Sequence, residues 1–186
     1  MNTDRLERGN ATSGEPAVLD RATVWASYSH WASGVCVVTT RDPEGNPVGV
    51  TATSFSPVSV TPPLISWSLD NRSRSLPAYL SADQFAVHIL GEHQDETSSS
   101  FARPGADKFA YRILDSDDDS PLLRHCLARF VCDTDRVIPA GDHTLFIGEI
   151  RQVAFTDGKP LLYFAQKYGL YALHPCHDQT FLDAWL

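Results

Sequence analysis

The sequence predicts a mainly β protein, an antiparallel barrel or sandwich carrying only two or three helices. Three observations lead there. Short apolar runs recur along the chain between turns rich in Pro, Gly and Asn. Helical spacing of apolar residues is confined to a few short stretches. Strands do not alternate with long helices, as a parallel sheet requires. At 186 residues the chain fits one domain.

The elements follow in chain order. Residues 1–15 are rich in charge, Gly, Ser and Thr and read as a flexible tail, leaving 16–186 as the single folded domain. Over 16–32, Val18, Ala22, Trp25 and Ala26 fall at helical spacing, and Gly34 supplies a stop. "GVCVVTT" (34–40) is a strand, "RDPEGNP" a turn, and "VGVTATSFSPVSV" (48–60) the returning strand of a hairpin. "PLISWSL" (63–69) is a third strand. "LPAYLSA" (76–82) reads as a short helix, "QFAVHIL" (84–90) as a buried strand, and "HQDETSSSFA" (93–102) as a helix ending before Pro104. "DSDDDS" (115–120) is an acidic loop facing water. Two long strands, 127–140 and 142–155, join through Gly141, and 160–166 is the last strand.

Composition excludes several functions. With 42% hydrophobic and 20% charged residues the chain can bury a sizeable core. Fifteen Lys and Arg against 23 Asp and Glu give a formal charge of −8, which disfavours nucleic acid and anionic membranes as partners. No apolar run reaches the ~20 residues that span a bilayer. The polar N-terminus lacks a signal peptide's apolar core, so a soluble, cytoplasmic protein is expected. The four cysteines are scattered and suggest no disulfide framework. "HPCHD" (174–178) has no second ligand cluster, so no metal site is expected. Neither glycine-rich phosphate-binding fingerprint is present.

Three stretches could carry chemistry. In "LDNRSRSLPAYL" (69–80), Ser75 precedes a proline-led helix start. The free N–H groups there, with Arg72 or Arg74 and flanking hydroxyls, make a phosphate cradle. Equally, Ser75 is only a cap, with the arginines solvated or paired to Asp70. In "GVTATSFSPVSV", alternation sets Thr51, Thr53 and Phe55 on one face and Ala52 and Ser54 on the other. That is either a row of donors for a polar heterocycle or a solvated strand face. His143, in "AGDHTLFIGEI", stands at a strand mouth, either as a hydrogen-bonding group for a carboxamide or as a structural residue. No nucleophile and base pair stands out, so any catalysis would rely on a bound cofactor.

Taken in order, "WASGVCVVTT", "GVTATSFSPVSVTPPLISWSL", "SRS", "FAVHIL", "FARPGADKF", "GDHTLFIGEI" and "PLLYFAQKYGLY" resemble the short-chain flavin reductases. These are the reductase components of two-component flavin-dependent monooxygenases. The resemblance runs from about Trp31 to Tyr171. It implies a six-stranded antiparallel split β-barrel related to the FMN-binding fold, in a homodimer with flavin near the subunit interface. It further implies hydride transfer from NADH or NADPH to FAD or FMN, with the reduced flavin passing to a separate monooxygenase. The absence of a second basic cluster for a 2′-phosphate favours NADH. By motif, Thr51, Ala52, Thr53 and Ser54 line the flavin ring and ribityl chain through backbone and hydroxyl contacts. Ser68, Leu69, Asp70, Ser73, Arg74 and Ser75 hold the rest of the flavin and its phosphate. Phe101 and Lys108 close the far side, His143 lies near the nicotinamide, and Tyr168 helps close the pocket. Relatives often carry Ser where this chain has Thr53. The alternative on the same barrel is a flavin- or heme-binding protein that does not turn over.

Overall fold

The computed structural model describes residues 19–104, 108–110 and 120–172. The helix expected over 16–32 is shorter. Its N-cap is Asp20, whose carboxylate accepts from the Thr23 N–H at 2.7 Å, and α1 runs Arg21–Tyr28. None of its residues is buried, so its apolar spacing does not face a core. Gly34 is not a helix stop but part of β1 (Ser33–Gly34).

The expected hairpin is present. β2 (Cys36–Arg41) pairs antiparallel with β3 (Pro47–Ala52), and the turn is closed by Asp42, which accepts the Asn46 N–H at 2.7 Å. The run 48–60, expected as one strand, is two. β3 ends at Ala52, and β4 (Ser56–Val60) pairs instead with β5 (Pro63–Asp70). α2 (Leu76–Ser81), β6 (Gln84–Ile89) and α3 (Asp95–Ala102) follow, then the long β7 (Ala128–Ala140) and β8 (His143–Phe155). The C-terminal strand is also doubled, into β9 (Leu161–Phe164) and β10 (Lys167–Leu170).

All ladders are antiparallel, in a seven-stranded sheet of order β3-β2-β6-β7-β8-β5-β4 and a three-stranded sheet β1-β9-β10. The expected class, mainly β and antiparallel with few helices, is what the structure shows; the main sheet carries seven strands rather than six. β3 and β4 adjoin in sequence yet form opposite edges of that sheet. Flat, seven strands at ~4.8 Å spacing would separate those edges by about 29 Å. The three residues between Ala52 and Ser56 reach at most about 14 Å. The sheet must therefore curl until its edges nearly meet, a barrel with an open seam bridged by residues 53–55.

One cluster of buried side chains fills the curl. Cys36 and Val38 of β2, Val50 of β3, Trp67 of β5, Phe85 of β6 and Phe146 of β8 meet there, with Tyr79 of α2 among them. Trp67 stacks on Phe146 at 4.8 Å and meets Tyr79 edge-on at 4.9 Å. Val35 and Val37 face a second cluster with Leu90, Phe101, Leu123 and Leu161, which fastens α3 and the small sheet to the barrel's outside. Gly49 makes that attachment possible: a Cβ there would stand 2.6 Å from the Phe101 ring. His88 is wholly buried, donating Nδ1–H to the Val37 carbonyl at 3.1 Å and accepting the Leu123 N–H on Nε2 at 3.1 Å. Burial pushes its pKa down to about 4.

Among the described residues no helix is long and apolar enough to cross a membrane, and no three His, Cys, Asp or Glu cluster as metal ligands. The N-terminal tail, the acidic loop up to residue 119 and the "HPCHD" segment lie outside the described residues.

Candidate active site

A cavity of about 990 Å³ opens at the barrel seam. It has two walls of different make. The seam wall comes from the ends of β3, β5 and β8: Thr51, Ala52, Thr53, Ser54, Ser68, Leu69, Asp70 and His143. The opposite wall comes from α1, α3 and the small sheet and is largely aromatic, with Trp25, Tyr28, Trp31, Tyr163 and Tyr168.

On the seam wall two of the four hydroxyls anticipated as ligand donors, those of Thr51 and Ser54, are already engaged. Thr51 Oγ1 donates to the Ser98 carbonyl at 2.6 Å. Ser54 Oγ donates to the Ser68 carbonyl at 3.1 Å and accepts the Ser68 N–H at 2.9 Å, stitching the seam to β5. The backbone donors expected of this stretch remain open. Residues 53–55 belong to neither ladder and make no backbone-to-backbone hydrogen bond among the described residues. Thr53 and Ser54 line the cavity, Thr53 is exposed, and the N–H groups of residues 53–55 have no protein partner among the described residues.

His143 and Asp70 face each other in register across β5 and β8. Asn71 fixes that lip: its N–H donates to the Asp142 carbonyl at 3.0 Å, its Nδ2 to the Gly141 carbonyl at 3.2 Å, and its Oδ1 accepts from Thr144 at 2.8 Å. Gly141, at φ 66°, allows the tight turn between the long strands. His143 Nδ1–H donates to the Asp142 carboxylate at 2.7 Å, which orients the ring and leaves Nε2 as its remaining polar atom. That hydrogen bond lowers the Asp142 pKa. Arg72 hydrogen bonds hold the Asp70 carboxyl far below the usual carboxylate range, with Arg72 Nη2 at 2.6 Å.

Ser73, Arg74, Ser75, Phe101 and Lys108 lie outside the cavity lining. The elbow follows the Asp70 lip directly, with Ser73 N–H donating to the Asp70 carbonyl at 2.9 Å. Ser75 is the N-cap of α2, but its side chain makes no capping hydrogen bond; its N–H instead meets Ser73 Oγ at 3.3 Å. The two arginines part company. Arg72 is paired with Asp70, while Arg74 is exposed and uncommitted among the described residues. Phe101 is buried beneath Gly49, and Lys108 Nζ donates to the carbonyls of Gly49 and Phe101 at 3.3 Å, behind the wall and not in it. Burial lowers the Lys108 pKa.

Tyr168 is in the lining. Its O–H donates to Ser98 Oγ at 2.8 Å, clasping β10 to α3, and its ring meets Tyr163 edge-on at 5.9 Å. The rest of this wall escaped the sequence reading. Trp25, Tyr28 and Trp31 are 60%, 66% and 79% exposed. The available signal was the density of aromatics in "WASYSHW", more than one short helix can bury.

The comparisons agree with this geometry. Residues 28–171 match the flavin reductase like domain. An FMN reductase (NADH), SmoA, of Agrobacterium fabrum is 39% identical over 145 residues, covering 76% of this chain and 81% of that protein. A 4-nitrophenol 4-monooxygenase/4-nitrocatechol 2-monooxygenase reductase component of Rhodococcus opacus is 32% identical, covering 81% of each. The solved NADH:FAD oxidoreductase SgcE6 of Streptomyces globisporus, in complex with NAD and FAD fragments, superposes with a TM-score of 0.78 at 26% identity, over 89% of this chain and all of that one. By the extent of these matches and the seamed barrel they share, this chain belongs to the flavin reductase like domain family.

Proposed function

We propose that this protein is an NADH:flavin oxidoreductase that reduces FMN or FAD and releases the reduced flavin to a separate flavin-dependent monooxygenase. The observation that carries the reading is the pairing of unpaired seam N–H groups with an aromatic wall across a cavity of about 990 Å³, the upper end of the range typical for ligand pockets. That slot suits two stacked heterocycles. When bound, flavin supplies the hydride-accepting ring, and the chain's own residues bind and orient.

The N–H groups of residues 53–55 face the polar edge of the ring, where fixed donors stabilise negative charge that develops on reduction. Thr51 and Ser54 act through the backbone they hold in place, while Ala52, Ser68 and Leu69 shape the wall. Arg74, with the hydroxyls of Ser73 and Ser75, meets the phosphate; its freedom from Asp70 supports this role. Phe101 and Lys108 support the site from behind by fixing β3 against α3. His143 orients the nicotinamide, its ring already set by Asp142, and no group need serve as acid or base.

Two further features complete the proposal. The protein is a cytoplasmic homodimer, its exposed aromatic wall and the exposed Val153 and Phe155 of β8 supplying apolar surface for a second copy. Sedimentation velocity tests this, with a dimeric species expected. For the activity, the purified protein is mixed with NADH and free FMN or FAD while the nicotinamide absorbance is followed. Rapid oxidation dependent on flavin is expected; a protein inert to both flavins overturns the reading. His143→Ala should raise the KM for NADH about tenfold, the worth of one good hydrogen bond, while flavin affinity changes little. An unchanged KM removes His143 from the nicotinamide.

A further inference from the structure

The β9–β10 hairpin turns through two residues, Ala165 and Gln166, with Phe164 and Lys167 paired in register on either side. Both turn residues are left-handed, at φ 48° and 62°. A two-residue turn with both positions left-handed is the province of Asn and Gly, because a Cβ crowds the following carbonyl. Ala and Gln each carry that steric penalty here. The conformation is held from both ends, by the Ala165 N–H donating to the Ser29 carbonyl at 3.0 Å and by the Tyr168 clasp on Ser98. Strained backbone held this way, at the edge of a binding cavity, points to a function for the side chain it aims.

Gln166 lines the cavity, is exposed, and makes no hydrogen bond among the described residues. It stands on the aromatic wall, across from the seam N–H groups. Its amide offers one acceptor and a pair of donors. That set is the complement of another carboxamide.

We propose that Gln166 is a specificity-determining residue that reads the carboxamide of the reduced nicotinamide, amide against amide, from the side opposite His143. The inference rests on the NADH:flavin reading above. Flavin held at the seam leaves the aromatic wall to the second ring, and Gln166 is the uncommitted amide there. Gln166 Oε1 accepts from the carboxamide NH2, and Gln166 Nε2 donates to its carbonyl.

The test compares NADH with the reduced 3-acetylpyridine analogue, in which a methyl replaces the NH2 and cannot donate. A site built to hydrogen-bond a group discriminates against the analogue lacking it. The wild type should prefer NADH in kcat/KM by about tenfold. Gln166→Gly should bring the ratio near unity while raising the melting temperature by about 2 °C, since Gly removes the left-handed penalty. Gln166→Asn, which keeps an amide and tolerates the turn, should retain most of the preference. A rise in stability with an unchanged preference overturns the proposal, as does a wild type indifferent to the analogue. A wild type that oxidises neither nicotinamide overturns the functional reading and this inference together, whereas an active enzyme with an unmoved ratio overturns this inference alone.

Discussion

The two walls of the cavity are built on opposite principles. The seam wall is an outcome of barrel closure: residues 53–55 have no ladder because the sheet's edges stop short of meeting. Its donors are backbone, fixed by strands packed on a buried core of Trp67, Phe85 and Phe146. The aromatic wall is hung on the barrel from outside. α1 buries none of its residues, and the small sheet is tied to α1 and α3 through single hydrogen bonds such as Ala165 to Ser29 and Tyr168 to Ser98. A fixed wall suits a ligand whose charge changes during reaction, because its dipoles need no reorganisation. A hung wall suits a second ligand that must enter and leave.

If the seam side is the rigid body, its stability should follow its own buried groups. His88 gives the largest effect. Above pH 6.5 neither the folded nor the unfolded chain protonates it, and it has no influence. Between pH 6.5 and about 4 the unfolded chain binds a proton that the folded chain refuses, so stability falls as pH drops, by about 1.4 kcal/mol per unit. Below about 4 the loss levels off near 3 kcal/mol. Denaturant midpoints at pH 7 and pH 4.5 measure it, and His88→Gln, compared at the same two values, should flatten that part of the profile. A profile unchanged by the substitution would mean that other groups govern acid stability.

The elbow sharpens the contrast next. Arg74→Ala should weaken flavin binding about tenfold without altering the fold, the cost of one charge-assisted hydrogen bond. Arg72→Ala, which frees only a surface pair with Asp70, should change flavin affinity less than about threefold. Equal effects from both would mean a diffuse positive field, not a phosphate contact. Smaller still, Ser54→Ala should cost about 1 kcal/mol, because it unpairs the Ser68 N–H and carbonyl at once. Flavin affinity should fall with it if the seam backbone is the binding surface; calorimetric titration reads both.

These outcomes bear on what the chain reveals before it folds. The antiparallel class, the first hairpin and the long strand pair were legible, since turn chemistry and alternation are local. The break at residues 53–55 was overlooked, although "VGVTATSFSPVSV" carries a local sign of it: Val48, Val50 and Ala52 share one phase, Thr53 and Ser54 are both polar, and Phe55 resumes in the opposite phase. The seam stretch was identified as a row of backbone and hydroxyl donors, but nothing local shows that the Ser54 hydroxyl is spent on β5. Ser75 sat at the cap position as expected, yet its side chain leaves the cap unmade. The aromatic wall stayed hidden because helical spacing alone cannot say whether a face meets a core or a cavity, and α1 meets a cavity.

Tyr168→Phe is the smallest change and the closest test of whether the walls are separable. It deletes one hydroxyl and leaves the ring packed edge-on against Tyr163. The hydroxyl is on the surface of the wall, so global stability should drop by no more than about 1 kcal/mol. The clasp to α3 goes, however, and with it one of the two anchors holding the left-handed turn at Ala165 and Gln166. The Ala165 amide should then exchange with solvent several-fold faster while amides of β5 and β8 keep their protection, because local opening draws on nearby contacts rather than on the whole fold. In kinetics the same loosening should appear as a KM for NADH raised about threefold, with flavin affinity unmoved. If flavin affinity falls in step with the NADH effect, the aromatic wall is not hung independently of the seam, and the two behave as one body.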